Sequence, residues 1–389
     1  MVKKYMGKNK KRCFLFPIFY GKKGQVRGID FALGMLIFIL VFSQIILVLS
    51  SLLFPSLLQL ESYSKEEDLK KVYDAVFYSP GEPSNWGTIP TSSLTNFRMG
   101  LALNENNELD FTKINRLVPD VSDYWKIDYL TAKISFSLTR DFAIDINSPI
   151  EIYLTSVTIA FGTITIKGKV QYFEENLAGA KIWAFALDTS NNIAINTTET
   201  KKLNSDIGFI STLTLNSSLH YSIAVFAEFG LFQTYKVLRM SRVSGSLDYS
   251  ISDFAFRPFA KSYTDLPSTI EVMSPRSPQS DEAEAFVLFP FKNSDMKYYH
   301  HVLEKKNTEE GDIYYTTMSV PAKGFAVLII QERIGDTYQA GYIGLPMLLS
   351  LDREGIFGPV GKSITSSAIS LSHFLFVRGV LIRCRMWYW

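Results

Sequence analysis

From Phe31 to Phe54 the chain carries no charged residue. Those 24 residues would span ~36 Å as a helix, against roughly 30 Å of bilayer hydrocarbon. An apolar run of that length, followed by Pro55, predicts a transmembrane helix. A buried core helix of a soluble protein would be expected to show a polar face, and this run has none. The segment also exceeds the usual apolar core of a secretory signal. No small-residue cleavage site follows it, because "SSLLFPSLLQLE" continues with bulky residues.

Charge sets the expected orientation. Residues 1–28 hold nine basic residues (Lys3, Lys4, Lys8, Lys10, Lys11, Arg12, Lys22, Lys23 and Arg27) and no acid. Basic flanks stay in the cytoplasm. The expected localisation is therefore the cell membrane, single-pass, with the amino-terminal arm cytoplasmic and everything after Pro55 outside. Removing those nine from 40 leaves 31 basic against 38 acidic residues, a balance of −7 for the remainder. A nucleic-acid surface there would need clustered Lys and Arg, so no nucleic-acid partner is expected. Cys13 and Cys384 would lie on opposite sides of the membrane and form neither a disulfide nor a metal site.

Past the span, "ESYSKEEDLKKVYDAVFYSPG" places Leu69, Val72, Tyr73 and Val76 on one helical face and charges on the other, until Pro80 and Gly81 stop it. Asp110 is positioned to cap a short helix ending before Pro119. From Ile144 onward the period changes to two: "DFAIDI", "IEIYLTSVTIAF" and "TITIKGKVQYF" read as strands, as does most of the remaining chain. The last stretch, "SHFLFVRGVLIRCRMWYW", alternates Ile382, Cys384, Met386 and Tyr388 with Arg383, Arg385, Trp387 and Trp389. Such a strand is an aggregation hazard as an open edge, so it is expected to pair inside a sheet, with "DFAIDI" or "IEIYLTSVTI".

The predicted fold class is a single transmembrane helix plus a mainly β ectodomain. That ectodomain comprises a small membrane-proximal α+β part, a transthyretin/Ig-like β-sandwich and a further antiparallel β region. The predicted divisions are a basic cytoplasmic arm or leader at 1–28 and a transmembrane helix with an outward helical extension at 29–78. A membrane-proximal α+β segment at 79–160, a sandwich at 161–240 and a β-rich region at 241–389 packed with 141–160 follow. The sandwich would then be an insertion.

Residues 164–227 resemble a carboxypeptidase-regulatory-like, transthyretin-type domain. The pattern is carried by Gly168 and Val170, by Leu177, Gly179 and Ala180, by the Gly208–Phe209 corner and by Tyr221 in the closing strand. The resemblance implies a non-catalytic module of a surface protein, serving adhesion or spacing. The amino-terminal part resembles archaeal pilin-like surface proteins with class III signal peptides. Its basic leader ends "KKG" at Gly24, Gln25 follows, and Asp30 precedes the apolar helix. "PSNWG", "GLALNENNELDFTKINRL" and "DFAIDI" also resemble elements of those proteins. The family acid is usually Glu at the fifth mature position, whereas cleavage after Gly24 puts Asp30 sixth and cleavage after Gly28 puts it second. Two roles for Asp30 stay open: neutralising the terminal amine of a neighbouring subunit in a helical bundle, or capping the helix start beside Arg27.

Chemistry is sparse. His300, His301 and Glu304 lack a third convincing metal ligand, and a loop or hairpin is the simpler reading. "GIFGPVGKS" at 355–363 fails as a phosphate loop because its glycine spacing is one residue too long. Asn196 and Asn216 head the tripeptides of glycosylation acceptors. No cofactor, metal or catalytic residue is called for. The expected function is a pilin-like, membrane-anchored structural or adhesion protein. Its expected partners are the membrane and other copies or other surface proteins, with no particular ligand indicated. The alternatives are a membrane-anchored extracellular enzyme of peptidase type and a sensor ectodomain acting through a partner.

Overall fold

The apolar run is helical in the computed structural model of the chain. This model describes residues 22–389 apart from 105–107, 120, 204–205, 217, 244–248, 264–265, 277–279, 292–296, 309–310, 350–355, 360–362 and 366. The basic arm before residue 22, the side chains of Gly24 and Gln25, and most of "GIFGPVGKS" lie outside the described residues. The chain divides into two units, Met1–Ser64 and Lys65–Trp389.

In the first unit, α1 (Lys22–Phe77) begins earlier than the expected residue 29 and carries Pro55 inside it. A proline removes one intrahelical hydrogen bond, a local loss that the flanking turns absorb here. From residue 28 through Pro55 every side chain is exposed, and none of the most apolar window is buried.

In the second unit the last turns of α1 present the predicted stripe. Leu69, Val72, Tyr73 and Val76 are buried. The chain then runs through two short 3-10 turns to α2 (Phe111–Asn115) and α3 (Tyr129–Ser135). Asp110 caps α2 as read, accepting from the Thr112 N–H at 2.9 Å, and Asp128 caps α3 through Thr131 N–H. The strand region opens with β1 (Phe142–Asn147).

Ten strands follow: β2 (Ile150–Ala160), β3 (Thr163–Tyr172), β4 (Glu175–Asn176), β5 (Lys181–Asp188), β6 (Ile193–Glu199), β7 (Lys201–Leu203), β8 (Asp206–Thr214), β9 (His220–Phe229), β10 (Phe232–Arg242) and β11 (Tyr249–Ser252). They form two antiparallel sheets, ordered β11-β10-β9-β5-β6 and β2-β3-β8-β7, with β4 on β3. Ile152, Ile166, Ile182, Ala184, Phe209, Ile223 and Val225 fill the space between them. Gly179 adopts φ +79°, the left-handed conformation its turn requires. Gly168 admits no side chain: a Cβ there would stand 2.6 Å from Tyr153 O.

Eight more strands make two further antiparallel sheets. The sheet β12-β13-β17-β16 is built from β12 (Phe259–Tyr263), β13 (Leu266–Pro275), β16 (Glu304–Thr308) and β17 (Gly311–Ser319). The sheet β15-β14-β18-β19 is built from β14 (Glu282–Leu288), β15 (Tyr298–Val302), β18 (Ala326–Ile334) and β19 (Thr337–Leu345). The chain ends in β20 (Ile369–Val377) and β21 (Val380–Tyr388), in a sheet ordered β1-β21-β20.

The last strand is therefore paired with "DFAIDI", from Phe142 opposite Tyr388 to Asn147 opposite Arg383. Its alternation is as read: Ile382, Cys384 and Met386 are buried, while Arg383, Arg385 and Trp387 are half-buried on the other face. Residues 141–160, expected to pack together with the carboxy-terminal region, instead divide. β1 joins β21, but β2 pairs with β3 through the Phe161–Gly162 turn and buries Ile150 and Ile152 in the sandwich core. The sandwich thus extends over about 150–252 rather than 161–240, because β2 and β11 complete its two sheets.

Deleting residues 380–389 removes the central strand of the β1-β21-β20 sheet. The truncated chain should lose its cooperative melt, and limited proteolysis should cut it at sites far from the deletion; a truncated chain as protease-resistant as the parent would contradict this.

Candidate functional site

Three features of the molecule could bear function: the apolar helix, a cleft on the β body and a group of buried cations. On the helix, Asp30 is exposed one residue before the uncharged run. The described residues place no charged group of this chain beside it, so neither expected role for Asp30 is decided by geometry.

The cleft encloses about 970 Å³ and lies wholly within the second unit. Its walls are residues 154–157 of β2, 235–238 of β10, Ile251 and Ser252 of β11, the 253–257 stretch that follows, and Tyr342 and Leu348. The β2–β3 ladder slips register between Leu154 and Ser156, a bulge that bends the strand at the cleft wall. Opposite, the Arg257 guanidinium stacks 4.0 Å from the Tyr342 ring centre, and Phe254 meets the same ring edge-on at 4.6 Å. Among the described lining residues Asp253 supplies the carboxylate, and no histidine or cysteine is present. Asp253, Lys236 and Arg257 make that set one that can bind polar and charged groups against an aromatic wall.

The strongly perturbed cations lie elsewhere. Arg116 is fully buried, and its guanidinium donates to the carbonyls of Trp86, Trp125 and Ile89 and to Thr91 Oγ1, the last two at 2.6 and 2.7 Å. It also stacks on Trp86 and Trp125, with centroids 5.3 and 5.9 Å away. The Lys113 ammonium donates to Ala102 O at 2.7 Å and Pro80 O at 2.9 Å. Arg378 donates to Gly324 O at 3.0 Å and to Pro321 O. Burial lowers Lys113 to about 8, and Arg116 and Arg378 to about 10. Each cation is held by backbone carbonyls, so together they tie irregular chain into place. Sequence reasoning missed both Lys113 and Arg116, since only the short helix capped by Asp110 was legible there and the carbonyls they hold come from distant positions.

The remaining residues singled out from sequence are dispersed. His300 and His301 sit on β15, not on a helix; His300 Nε2 contacts the Glu284 carboxylate, and its ring stacks on Phe286 at 4.6 Å. Among the described residues no three His, Cys, Asp or Glu side chains are grouped as a metal site. Asn196 lies on β6 and donates its amide to Thr212 O at 2.8 Å, and Asn216 lies in the loop before β9, where its carbonyl accepts from Tyr221.

No protein-family model matches this chain, and no curated protein matches it in sequence. Solved structures with a partial likeness include a tetra-tandem repeat from the extending region of a large adhesion protein, with 11% identity and a TM-score of 0.17. That match covers 52% of this chain and 49% of the other. Red sea bream transglutaminase is similar at 9% identity and a TM-score of 0.21, over 57% of this chain and 34% of the enzyme. Residues 217–571 of S. aureus TarS match at 8% identity and a TM-score of 0.16, over 50% of this chain and 62% of that one. The chain spans about half the length of the adhesion-protein structure. Scores this low carry no argument about function.

The lowered pKa of Lys113 makes a pH test. Between about pH 8 and its ordinary value of 10.5 the unfolded chain binds the proton and the folded chain does not, so this group adds stability as pH rises through that window. Lys113→Met should remove that rise, read as the difference between parent and variant in urea melts at pH 7.5 and 10. Arg116→Met takes the side-chain donor from the Trp125 and Ile89 carbonyls and should cost about 3 kcal/mol or more at any pH in that range.

Proposed function

We propose that the chain is a membrane-anchored surface protein whose β body serves a structural or adhesive role without catalysis. The observation that carries this reading is the 28–55 stretch, helical, free of charge after Asp30 and exposed on every face. So much apolar surface is stable only in lipid or against other such helices. The nine basic residues before residue 29 support a cytoplasmic amino terminus. The strand series over 163–229, with its Gly168 and Gly179 positions, supports a transthyretin-type module. Gly24, Gln25 and Asp30 support the archaeal pilin-like reading, in which Asp30 pairs with a neighbour's amine as helices bundle. Glycans at Asn196 and Asn216 belong to the same proposal, which needs no cofactor.

Two measurements test it. In fractionated cells the chain should resist carbonate extraction, and protease added outside should destroy epitopes after residue 80 while sparing an amino-terminal tag. A protected β body, or a chain released by carbonate, would overturn the anchoring. Asp30→Ala should leave insertion intact and reduce the yield of large assemblies; an unchanged yield would leave Asp30 the capping role alone.

A further inference from the structure

Open sheet edges are normally shortened, charged or covered, because an exposed strand rim templates further pairing. Several edge strands of this protein follow that rule. β16 reads "EKKNT", β7 reads "KKL", and β12 carries Lys261. β1 is bridged at Ile144 by Phe357 and at Ile146 by Leu349. β19, nine residues long and uncharged, is covered: the Ala255 N–H donates to Ala340 O at 2.8 Å, and Phe256 bridges Gly341.

β20 departs from the rule. It is the edge of its sheet, has nine residues, "ISLSHFLFV", and contains no Lys, Arg, Asp, Glu or Pro. Among the described residues its rim is met only near its end, where the Leu109 N–H donates to Phe376 O at 2.8 Å and Glu108 bridges Phe376. On the exposed face Ser370 and Ser372 precede Phe374, which is 46% exposed. Phe232, at 6.4 Å from the Phe374 ring, and the exposed Leu231 extend the apolar surface.

We propose that a second copy of this chain covers this edge, with β20 pairing antiparallel to β20 of the second copy over residues 370–374, about a two-fold axis at Ser372. An antiparallel edge is self-complementary, and a two-fold contact uses one patch twice. In this register Phe374 stands opposite Ser370 of the second copy, a large side chain over a small one. The paired segment, "SLSHF", brings no two like-charged carboxylates or amines together; its ionisable member, His373, engages Tyr78 at 3.0 Å. The proposal goes beyond the anchoring reading and does not depend on Asp30.

The test uses the full chain in detergent. A Cys13→Ser background leaves Cys384, which is buried, as the remaining native cysteine. Ser372→Cys should then form a disulfide-linked dimer on mild oxidation, and Ser250→Cys on exposed β11 should not. Sedimentation of the parent should show a dimer that Phe374→Lys weakens by about tenfold or more. Ser372→Pro should do the same, and circular dichroism must show both variants folded; if the proline variant unfolds, Phe374→Lys decides. Asp30→Ala should leave this dimer intact. A parent that stays monomeric, a dimer unmoved by Phe374→Lys, or one lost only with Asp30→Ala would overturn the proposal, the last without touching the anchoring reading.

Discussion

The body beyond residue 65 depends on one sheet being buried on both faces. In β5, Ile182, Ala184 and Ala186 point into the sandwich core, while Trp183, Phe185 and Leu187 point the other way into the larger core. β9 does the same, with Ile223 and Val225 on one side and Ala224 and Phe226 on the other. Tyr235 of β10 reaches across to donate to Pro346 O at 2.9 Å, and the Trp183 indole donates to Phe291 O at 3.1 Å. A full apolar side chain is worth roughly 1.5–3 kcal/mol when buried. The second face of this sheet therefore joins the sandwich to the carboxy-terminal sheets in one continuous apolar core. The outer face of this sheet is core, so the sandwich is not a separable bead within the body.

The irregular stretch between α1 and β1 has too few apolar residues in regular elements to hold itself in that way. Cations do part of the work. Arg116 gathers carbonyls from Trp86, Ile89 and Trp125, and Lys113 gathers those of Pro80 and Ala102, so backbone acceptors of the irregular stretch converge on two side chains. Buried charge is costly, and the lowered pKa of Lys113 registers that cost. The return is that buried backbone acceptors, which no helix or sheet satisfies here, find donors.

How much of this was legible in the sequence follows from which pattern each element obeys. The apolar helix, the Leu69–Val76 stripe and the Asp110 cap depend on local spacing alone, and all appear in the structure as read. The half-buried last strand shows the same, since period two survives whenever one face stays in contact with solvent. β5 and β9 were legible as strands, but the period-two reading passed over their uninterrupted runs "KIWAFAL" and "YSIAVFA", the mark of strands covered on both faces. That β2 belongs with β3 rather than with β21 turns on the Phe161–Gly162 turn, where an L-residue adopts φ +49°; propensity does not announce such a turn. The cleft was not legible, because its walls come from β2, β10 and a loop brought together by the fold.

The body is closed by contacts between residues far apart in sequence. The Tyr73 hydroxyl donates to Cys384 O at 3.1 Å across 311 residues, and its ring lies 5.1 Å from His373. Asp141 and Trp389 exchange backbone hydrogen bonds at 3.0 and 3.1 Å, so the whole of β1 is locked to the 383–388 part of β21. The helical end of α1 thus meets the last two strands rather than the sandwich next in sequence. Such closure comes late in folding, since loop entropy opposes contacts of this separation. The sandwich, whose partners are near neighbours, has the shorter loops to close and can form before the ends meet.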